Sequence, residues 1–374
     1  MDSTTLTPQA GDRASSQPTG EQQSPGLIDC DIHPALRTPA DLDRFLSVRW
    51  REHRKTFGDH VRRATKAWIY HRMDNHGMRL DAMPPGGGPA ASDLDFMRQQ
   101  HLDAYGVTLG VLQPLSSAAY VRSREYSAAL CRAMNEWQVE DWTRHEKRLK
   151  ASIVVNPEFA EDAVREIDHW ADHPDFVQIT VPPRTSDPLG RQSYWPIFEA
   201  AERHDMAIGL HVGGVNGHPS GGAGWPSYYL EEHQTNAHTA QAIVTSMVIE
   251  GVFERFRHLR VVMIEGGFGW VPPLSWRLDK HWNRLRAEVP HVKRPPSEYV
   301  REHFWFSTQP MEESANPQDI AELFDWIGWD RLVFASDYPH WDFDDPNYVF
   351  RTKVSPEQKR MVLRDNARAA FRLP

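Results

Sequence analysis

The stretch GLIDCDIH at residues 26–33 decides how this chain is read. Its apolar residues are packed closely, and it ends in a carboxylate and an imidazole two positions apart, Asp31 and His33. In an extended strand that spacing puts both side chains on one face. Short apolar runs of the same kind recur downstream: VTLGVLQP at 107–114, ASIVVNP at 151–157, FVQITVP at 176–182 and AIGLHVGG at 207–214. LRVVMIEGG at 259–267, HFWFSTQ at 303–309 and RLVFASD at 331–337 complete the series. Segments of helical period separate most of them, at 125–147, 158–172, 195–204, 231–253 and 316–326. Buried strands alternating with helices read as a parallel α/β fold. Eight strands are the number that closes a (β/α)8 TIM barrel, which is the predicted fold. The competitor is an open doubly wound sheet. It calls for a Gly-rich turn after the first strand, where this chain has HPAL.

Length agrees with one barrel. The chain has 374 residues, and a barrel absorbs ~250 or more as a single domain. Residues 1–26, rich in Ser, Thr, Gln, Pro and Gly, offer too little apolar surface to offset ordering entropy. They read as a disordered tail, and 27–374 as the barrel. A polar insertion follows the first strand, at about 37–92. It carries an Arg-rich helical stretch at 45–57, a PPGGGP segment at 84–89, and a helix start capped by Ser92 and Asp95.

Composition removes several function classes. Lys+Arg 42 against Asp+Glu 51 gives a net charge of −9, the wrong sign for non-specific binding to nucleic acid or an anionic membrane. Two cysteines, Cys30 and Cys131, make neither a disulfide framework nor a thiolate zinc site. No signal-peptide pattern or long apolar span is visible, so a cytoplasmic location is expected. Cys30, next to Asp31, is expected on the opposite strand face.

The chemistry sits at the strand ends. In a barrel these form the catalytic rim, and four of them end in metal-binding residue types: Asp31 and His33, His211, Glu265, and Asp337. Singly, each has a bland reading, as a helix cap or a hydrogen-bonded structural histidine. Together they would crowd three carboxylates at one mouth, which is costly without a cation. The donor types suit Fe, Mn or Zn. His233, His238 and His340 follow on the same side. His233 and His238, five apart, diverge by ~140° on an unbroken helix, so His233 is favoured. Each could equally bond backbone.

These motifs (DCDIHP, GLHVGG, IEGGFGW, TQPMEE and ASDYPHWD) resemble the amidohydrolase superfamily, in its branch named after aminocarboxymuconate-semialdehyde decarboxylase. The resemblance runs from about residue 27 to the C-terminal DNARAAFRL. It implies that Asp31, His33, His211 and Asp337 ligate a first metal. Where that family has His-Gly-Gly after strand six, this chain has Glu265-Gly266-Gly267. The Glu-for-His pattern is similar to a small branch of dinuclear non-haem iron or iron/manganese monooxygenases. On that basis Glu265 is expected to be catalytic and to bridge two metals, with His233 and His340 completing the second. Two Fe ions would serve as cofactors and O2 as co-substrate, for hydroxylation of a small organic molecule. The alternative is a mononuclear Zn- or Mn-dependent hydrolase or decarboxylase, with Glu265 as base.

The loop at 213–229 reads as a mobile lid. Trp225, Tyr229 and Trp341 are expected to bind substrate, with Tyr228, Trp270 and Phe343 nearby; packing is the commoner fate of such rings. Arg44, Arg49, Arg51 and Arg54 read most simply as a solvated helix face. A homodimer, or pairing with a related chain, is expected, with no nucleic-acid or membrane partner.

Overall fold

The computed structural model describes residues 26–58, 77–211 and 221–373. The tail, much of the insertion and the first part of the lid loop lie outside them.

Eight strands run in sequence order around one sheet: β1 (Leu27–Ile32), β2 (Val107–Leu112), β3 (Leu149–Val154), β4 (Phe176–Val181), β5 (Ala207–His211), β6 (Val261–Ile264), β7 (Phe304–Ser307) and β8 (Leu332–Val333). Every neighbouring pair is parallel. The seam between β8 and β1 closes through backbone bonds. Cys30 N–H donates to the Phe334 carbonyl (3.0 Å) and His33 N–H to that of Tyr338 (2.8 Å). This is the predicted TIM barrel. Its core has two layers. Outward-facing residues such as Ile153, Ile179 and Met263 pack under the helices. A second set, including Ile28, Val111, Ala207 and Val333, comes from strands all round the barrel, so it meets in the lumen. Ala367, Ala370 and Phe371 of the last helix join it from the strand N-terminal side, where Arg260 Nε donates to the Ala370 carbonyl (2.9 Å). The lumen is thus plugged at one end and open for chemistry at the other.

Between β2 and β3, backbone pairing covers only Gly110–Leu149 and Val111–Lys150. Beyond it, side chains from the helical segment after β2 take the bonds. Gln138 pairs with both backbone groups of Ser152, and Asn135 with both of Val154. A buried unpaired peptide group is costly, and two amide side chains prevent four of them.

Three local expectations are corrected. Cys30 lies in the lumen cluster with Ile28, although Asp31 also faces the site. The β1–β2 register is irregular between Asp29 and Ile32, which breaks strict alternation. The helix after the insertion is capped by Asp93, which accepts from Phe96 N–H (3.0 Å), rather than by Ser92 with Asp95. The helical run after β5 breaks at Thr235 into Tyr229–Gln234 and Asn236–Ile249. His233 and His238 therefore sit on different helices. The arginines mostly form pairs: Arg54 is buried against Asp43 and the Pro39 carbonyl, Arg44 meets Asp141, and Arg49 meets Glu125.

Candidate metal centre

β1 delivers Asp31 and His33, both buried, to the rim. His33 Nδ1 lies 2.9 Å from the Gln113 carbonyl, an acceptor, so this nitrogen carries the hydrogen. That leaves Nε2 facing Asp31 Oδ1 (3.2 Å) and Asp337 Oδ1 (2.7 Å). A backbone acceptor behind a ligating imidazole fixes its tautomer and its aim. His211, the last residue of β5, puts Nε2 3.5 Å from Asp31 Oδ1 and 3.2 Å from Glu265 Oε2. The His33 and His211 rings meet edge to face, with centroids 4.8 Å apart.

Glu265 and Asp337 follow β6 and β8 with φ of 55° and 60°. Non-glycine residues enter that region at a cost, and such residues concentrate at working sites. Here the turn of the backbone swings each carboxylate into the centre. Glu265 N–H donates to Ser307 Oγ (2.9 Å), which donates to the Gln309 carbonyl (2.8 Å), so β7 braces the bend after β6.

Asp31, His33, His211 and Glu265 form one group of converging donor atoms; His33, Asp337 and His340 form a second; His233, Glu265 and Asp342 a third. His340 Nδ1 pairs with Asp337 Oδ1. His233 Nε2 lies 3.1 Å from Asp342 Oδ2 and 3.7 Å from Glu265 Oε1. Gln309 Nε2 donates to both Asp337 (3.2 Å) and Asp342 (3.0 Å), tying the last two groups together.

The unpaired atoms test whether a cation fits. Both Asp31 oxygens are buried without a hydrogen bond, and so are His211 Nε2 and His233 Nε2. Their near neighbours lie within ion-pair distance but lack hydrogen-bond alignment. Buried polar atoms are rarely left so, and several aimed at one point are what a cation would satisfy. No thiolate joins them, so the donor set suits Mn, Fe or Zn. The electrostatics of the site agree. Burial alone would raise the Asp31 carboxyl, but His33 and His211 outweigh it and hold it well below the usual range. Burial would lower His33, but Asp31 and Glu265 carry it up to about 9. Asp337 is pushed well up by burial and by the carboxylates of Glu265, Asp342 and Asp31. Burial and His33 press His340 down to about 3. Burial opposes charge on His233 too, yet Asp342 and Glu265 bring it to about 10.

The seven residues favoured as metal ligands in the sequence therefore meet at one mouth, and His238 joins none of the three groups. The grouping differs from expectation: His340 joins His33 and Asp337, while His233 faces Asp342. Sequence reasoning missed Asp342, Gln309 and Gln113. Asp342 and Gln309 lie inside the quoted motifs ASDYPHWD and TQPMEE, but in loops, where no periodicity says which side chain turns inward. Tyr229 and Trp341 stand beside His233, with Trp341 Nε1 donating to Tyr229 Oη (3.2 Å) and ring centroids 6.0 and 5.5 Å from the imidazole. Trp225 is exposed in the loop before that helix. Trp270 donates to the Gly266 carbonyl, and Phe343 packs against Tyr105 and His101.

A profile of the amidohydrolase family matches residues 28–373. Gamma-resorcylate decarboxylase from a Polaromonas species is 23% identical over 316 residues, covering 80% of this chain and 94% of that protein. An amidohydrolase from Mycobacterium avium subsp. paratuberculosis superimposes with a TM-score of 0.71 at 21% identity, covering 92% and 99% of the two chains. 5-Carboxyvanillate decarboxylase from Sphingomonas paucimobilis gives 0.67 at 21% identity, covering 94% and 100%. A 5-carboxyvanillate decarboxylase from Novosphingobium aromaticivorans, complexed with manganese, gives 0.68 at 19% identity, covering 95% and 98%.

These relatives overturn the expectation of a dinuclear iron monooxygenase using O2. Three of the four are decarboxylases, and one of those is seen with manganese. The misreading came from Glu265. A carboxylate in place of histidine can bridge two irons, but a carboxylate beside a metal can equally handle a proton, and loss of CO2 needs no redox-active metal. Among the described residues no helix is long and apolar enough to cross a membrane.

Proposed function

Because this chain belongs to the amidohydrolase family, with its donors gathered at the barrel mouth, we propose that it is a metal-dependent, non-oxidative decarboxylase of a small ring-bearing carboxylic acid. The observation that carries the reading is the buried, unbonded Asp31 carboxylate between His33 and His211. It demands a cation at the place where the decarboxylase relatives supply the class of reaction.

Asp31, His33, His211 and Asp337, linked through His33 and Asp31, would hold one divalent ion, with Mn the first candidate. When bound, the ion supplies positive charge that fixes the substrate's oxygens and stabilises negative charge developing as the bond to CO2 breaks. The chain's own residues manage the proton. Decarboxylation replaces a carboxylate by hydrogen at carbon, so a group beside the site must hold a proton and release it. His233 keeps one at neutral pH, and Glu265 lies between it and the centre, 3.7 Å from Nε2. Glu265 is the group placed to pass that proton to the substrate carbon, and Asp342 holds the His233 ring in place. Tyr229 and Trp341 would wall the ring of the substrate and exclude water.

The test is direct. Protein loaded with Mn is incubated with hydroxybenzoates under argon and in air, and CO2 release and loss of the acid's absorbance are followed. The reading expects equal rates in both atmospheres and a loss of about 100-fold or more in Glu265→Gln. Oxygen uptake matched to turnover, or full activity after removal of metal by chelation, refutes it.

A further inference from the structure

Three of the metal donors are delivered across the seam of the barrel. There β8 is two residues long and meets β1 through single backbone bonds rather than a ladder, Cys30 to Phe334 and His33 to Tyr338. Asp31 and His33 lie on one side of this seam and Asp337 on the other, so their spacing depends on how the seam is held. Between the two backbone bonds lie the N–H groups of Asp31 and Ser336. Two donors cannot pair with each other, and Asp29 takes both: its Oδ1 accepts from Asp31 N–H (3.1 Å) and from Ser336 N–H (2.9 Å). Its Oδ2 accepts from Ser336 Oγ (2.6 Å) and from His101 Nε2 (2.8 Å). Ser336 Oγ in turn accepts from Tyr338 N–H (3.1 Å), so the network grips the chain on both sides of Asp337. The irregular register of β1 between Asp29 and Ile32 falls within this span.

His101 comes from the helix before β2, which widens into a π turn at Arg98–Leu102, a device frequent at functional sites. Neighbouring residues of that turn reach the seam together. His101 meets Asp29, and Gln100 Oε1 accepts from the Tyr338 hydroxyl (2.8 Å). The His101 ring stacks on Tyr338 with centroids 4.5 Å apart, and its Nδ1 makes no hydrogen bond, so its one polar bond is spent on Asp29. Asp29, His101 and Ser336 are all fully buried. Buried polar sets are a poor route to stability, since apolar side chains often serve as well; what they supply is a single fixed arrangement. We propose that Asp29, aimed by His101, is a positioning residue for the metal centre, holding Asp31 and His33 at a set distance from Asp337 across the seam between β1 and β8. This rests on the metal site of the reading above and not on its decarboxylation step.

Mn binding to chelator-treated protein is measured without substrate at one pH, by the electron paramagnetic resonance of free and bound Mn, in wild type, His101→Phe, His101→Gln, Ser336→Ala and Asn135→Ala. His101→Phe keeps a stacking ring and loses the bond, while His101→Gln restores a donor. Ser336→Ala weakens the brace from the β8 side, should His101→Phe fail to fold. Asn135→Ala loosens the wall at β3 and touches no metal donor. His101→Phe and Ser336→Ala are expected to weaken Mn binding about tenfold or more and to change the bound spectrum, and His101→Gln to recover most of the loss. Asn135→Ala should melt below wild type yet bind Mn as wild type does. The proposal is overturned if His101→Phe or Ser336→Ala melts lower but keeps the wild-type affinity and spectrum, or if His101→Gln recovers nothing. It is overturned too if Asn135→Ala loses as much affinity as they do, which marks general loosening. Because binding is read without turnover, the two readings fail separately. Mn binding that depends on His101 with no release of CO2 sinks the decarboxylase, and release of CO2 with Mn affinity indifferent to His101 sinks the brace.

Discussion

Metal loading should expel the proton of His33 at neutral pH, and Asp337 should add to the release. His33 Nε2 faces Asp31 and Asp337, and the carboxylates around it bring its pKa to about 9 against the opposing effect of burial. At pH 7 such a group is ~99% protonated, and a cation cannot share that nitrogen with the proton. Displacing it costs about 1.4 kcal/mol for each pH unit below 9, so His33 alone weakens binding roughly 100-fold between pH 9 and pH 7. Asp337 adds to this release. Burial and the neighbouring carboxylates of Glu265, Asp342 and Asp31 raise its carboxyl well above the usual range. Both groups have raised values, so affinity for the ion rises as pH rises.

The measurement is calorimetric titration of Mn into chelator-treated protein at several pH values, in pairs of buffers with different ionisation heats. Between pH 6 and pH 8 the logarithm of the binding constant should rise by about 1 per pH unit or more, with at least about one proton, that of His33, released per ion. Asp337→Asn should lower the slope to about 1. A second ion at His233, Glu265 and Asp342 would appear as a separate binding event with its own proton, because His233 stands at about 10. A slope near zero in wild type would refute the assignment of His33 and Asp337 as ligands.

Three further outcomes follow from the fold. Asn135→Ala strips both backbone groups of Val154 and one bond to Glu166 of their partner, and should cost about 2–4 kcal/mol, read as a fall in denaturant midpoint; a loss under 0.5 kcal/mol would mean that water takes these bonds. Glu146 is pulled down to about 2 by Arg148, and by Arg98 against burial. A depressed carboxylate stabilises above its unfolded value and loses that contribution as pH falls toward 2, so Glu146→Gln should melt below wild type at pH 7, by about 1–2 kcal/mol after solvent screening, with the gap closing near pH 2.5. Gly209→Ala would set a methyl 2.3 Å from Gln178 Oε1 inside the barrel and should lower the melting temperature, whereas Gly222→Ala, with open space around it, should not.

The fold was legible because each buried strand is a dense apolar run, and in a closed parallel barrel both faces of the strand are buried. The metal donors were legible for a related reason. Asp31, His33, His211, Glu265 and Asp337 sit at or just past strand ends, where topology alone fixes the rim on which they meet. His233 needed a broken helix to be resolved from His238, and Thr235 supplies it without proline or glycine to announce it. Asp342 and Gln309 were hidden by their loops. Cys30 was misplaced because alternation was applied through a register irregularity that only pairing with β2 reveals.

The chemistry was misjudged at Glu265, and the geometry explains how one residue supports two stories. Its two oxygens face different partners: Oε2 lies 3.2 Å from His211, and Oε1 lies 3.7 Å from His233. A bridging ligand and a proton carrier both require that two-sided placement. What separates them is His233. As a ligand it would give up its proton when a cation binds, as His33 would; as a store it keeps it, with Asp342 3.1 Å away on its other side and Gln309 tying that carboxylate to Asp337. The arrangement stabilises imidazolium, which is a store of protons, and it does so at the point where the carbanion left by the loss of CO2 would need one. Replacing Asp342 by Asn separates the two roles. As a proton store, His233 should lose its charge nearer neutrality, and the alkaline limb of the rate profile should move down by one pH unit or more while metal stoichiometry stays at one. If His233 is a ligand, the same change should leave that limb in place and alter metal content instead.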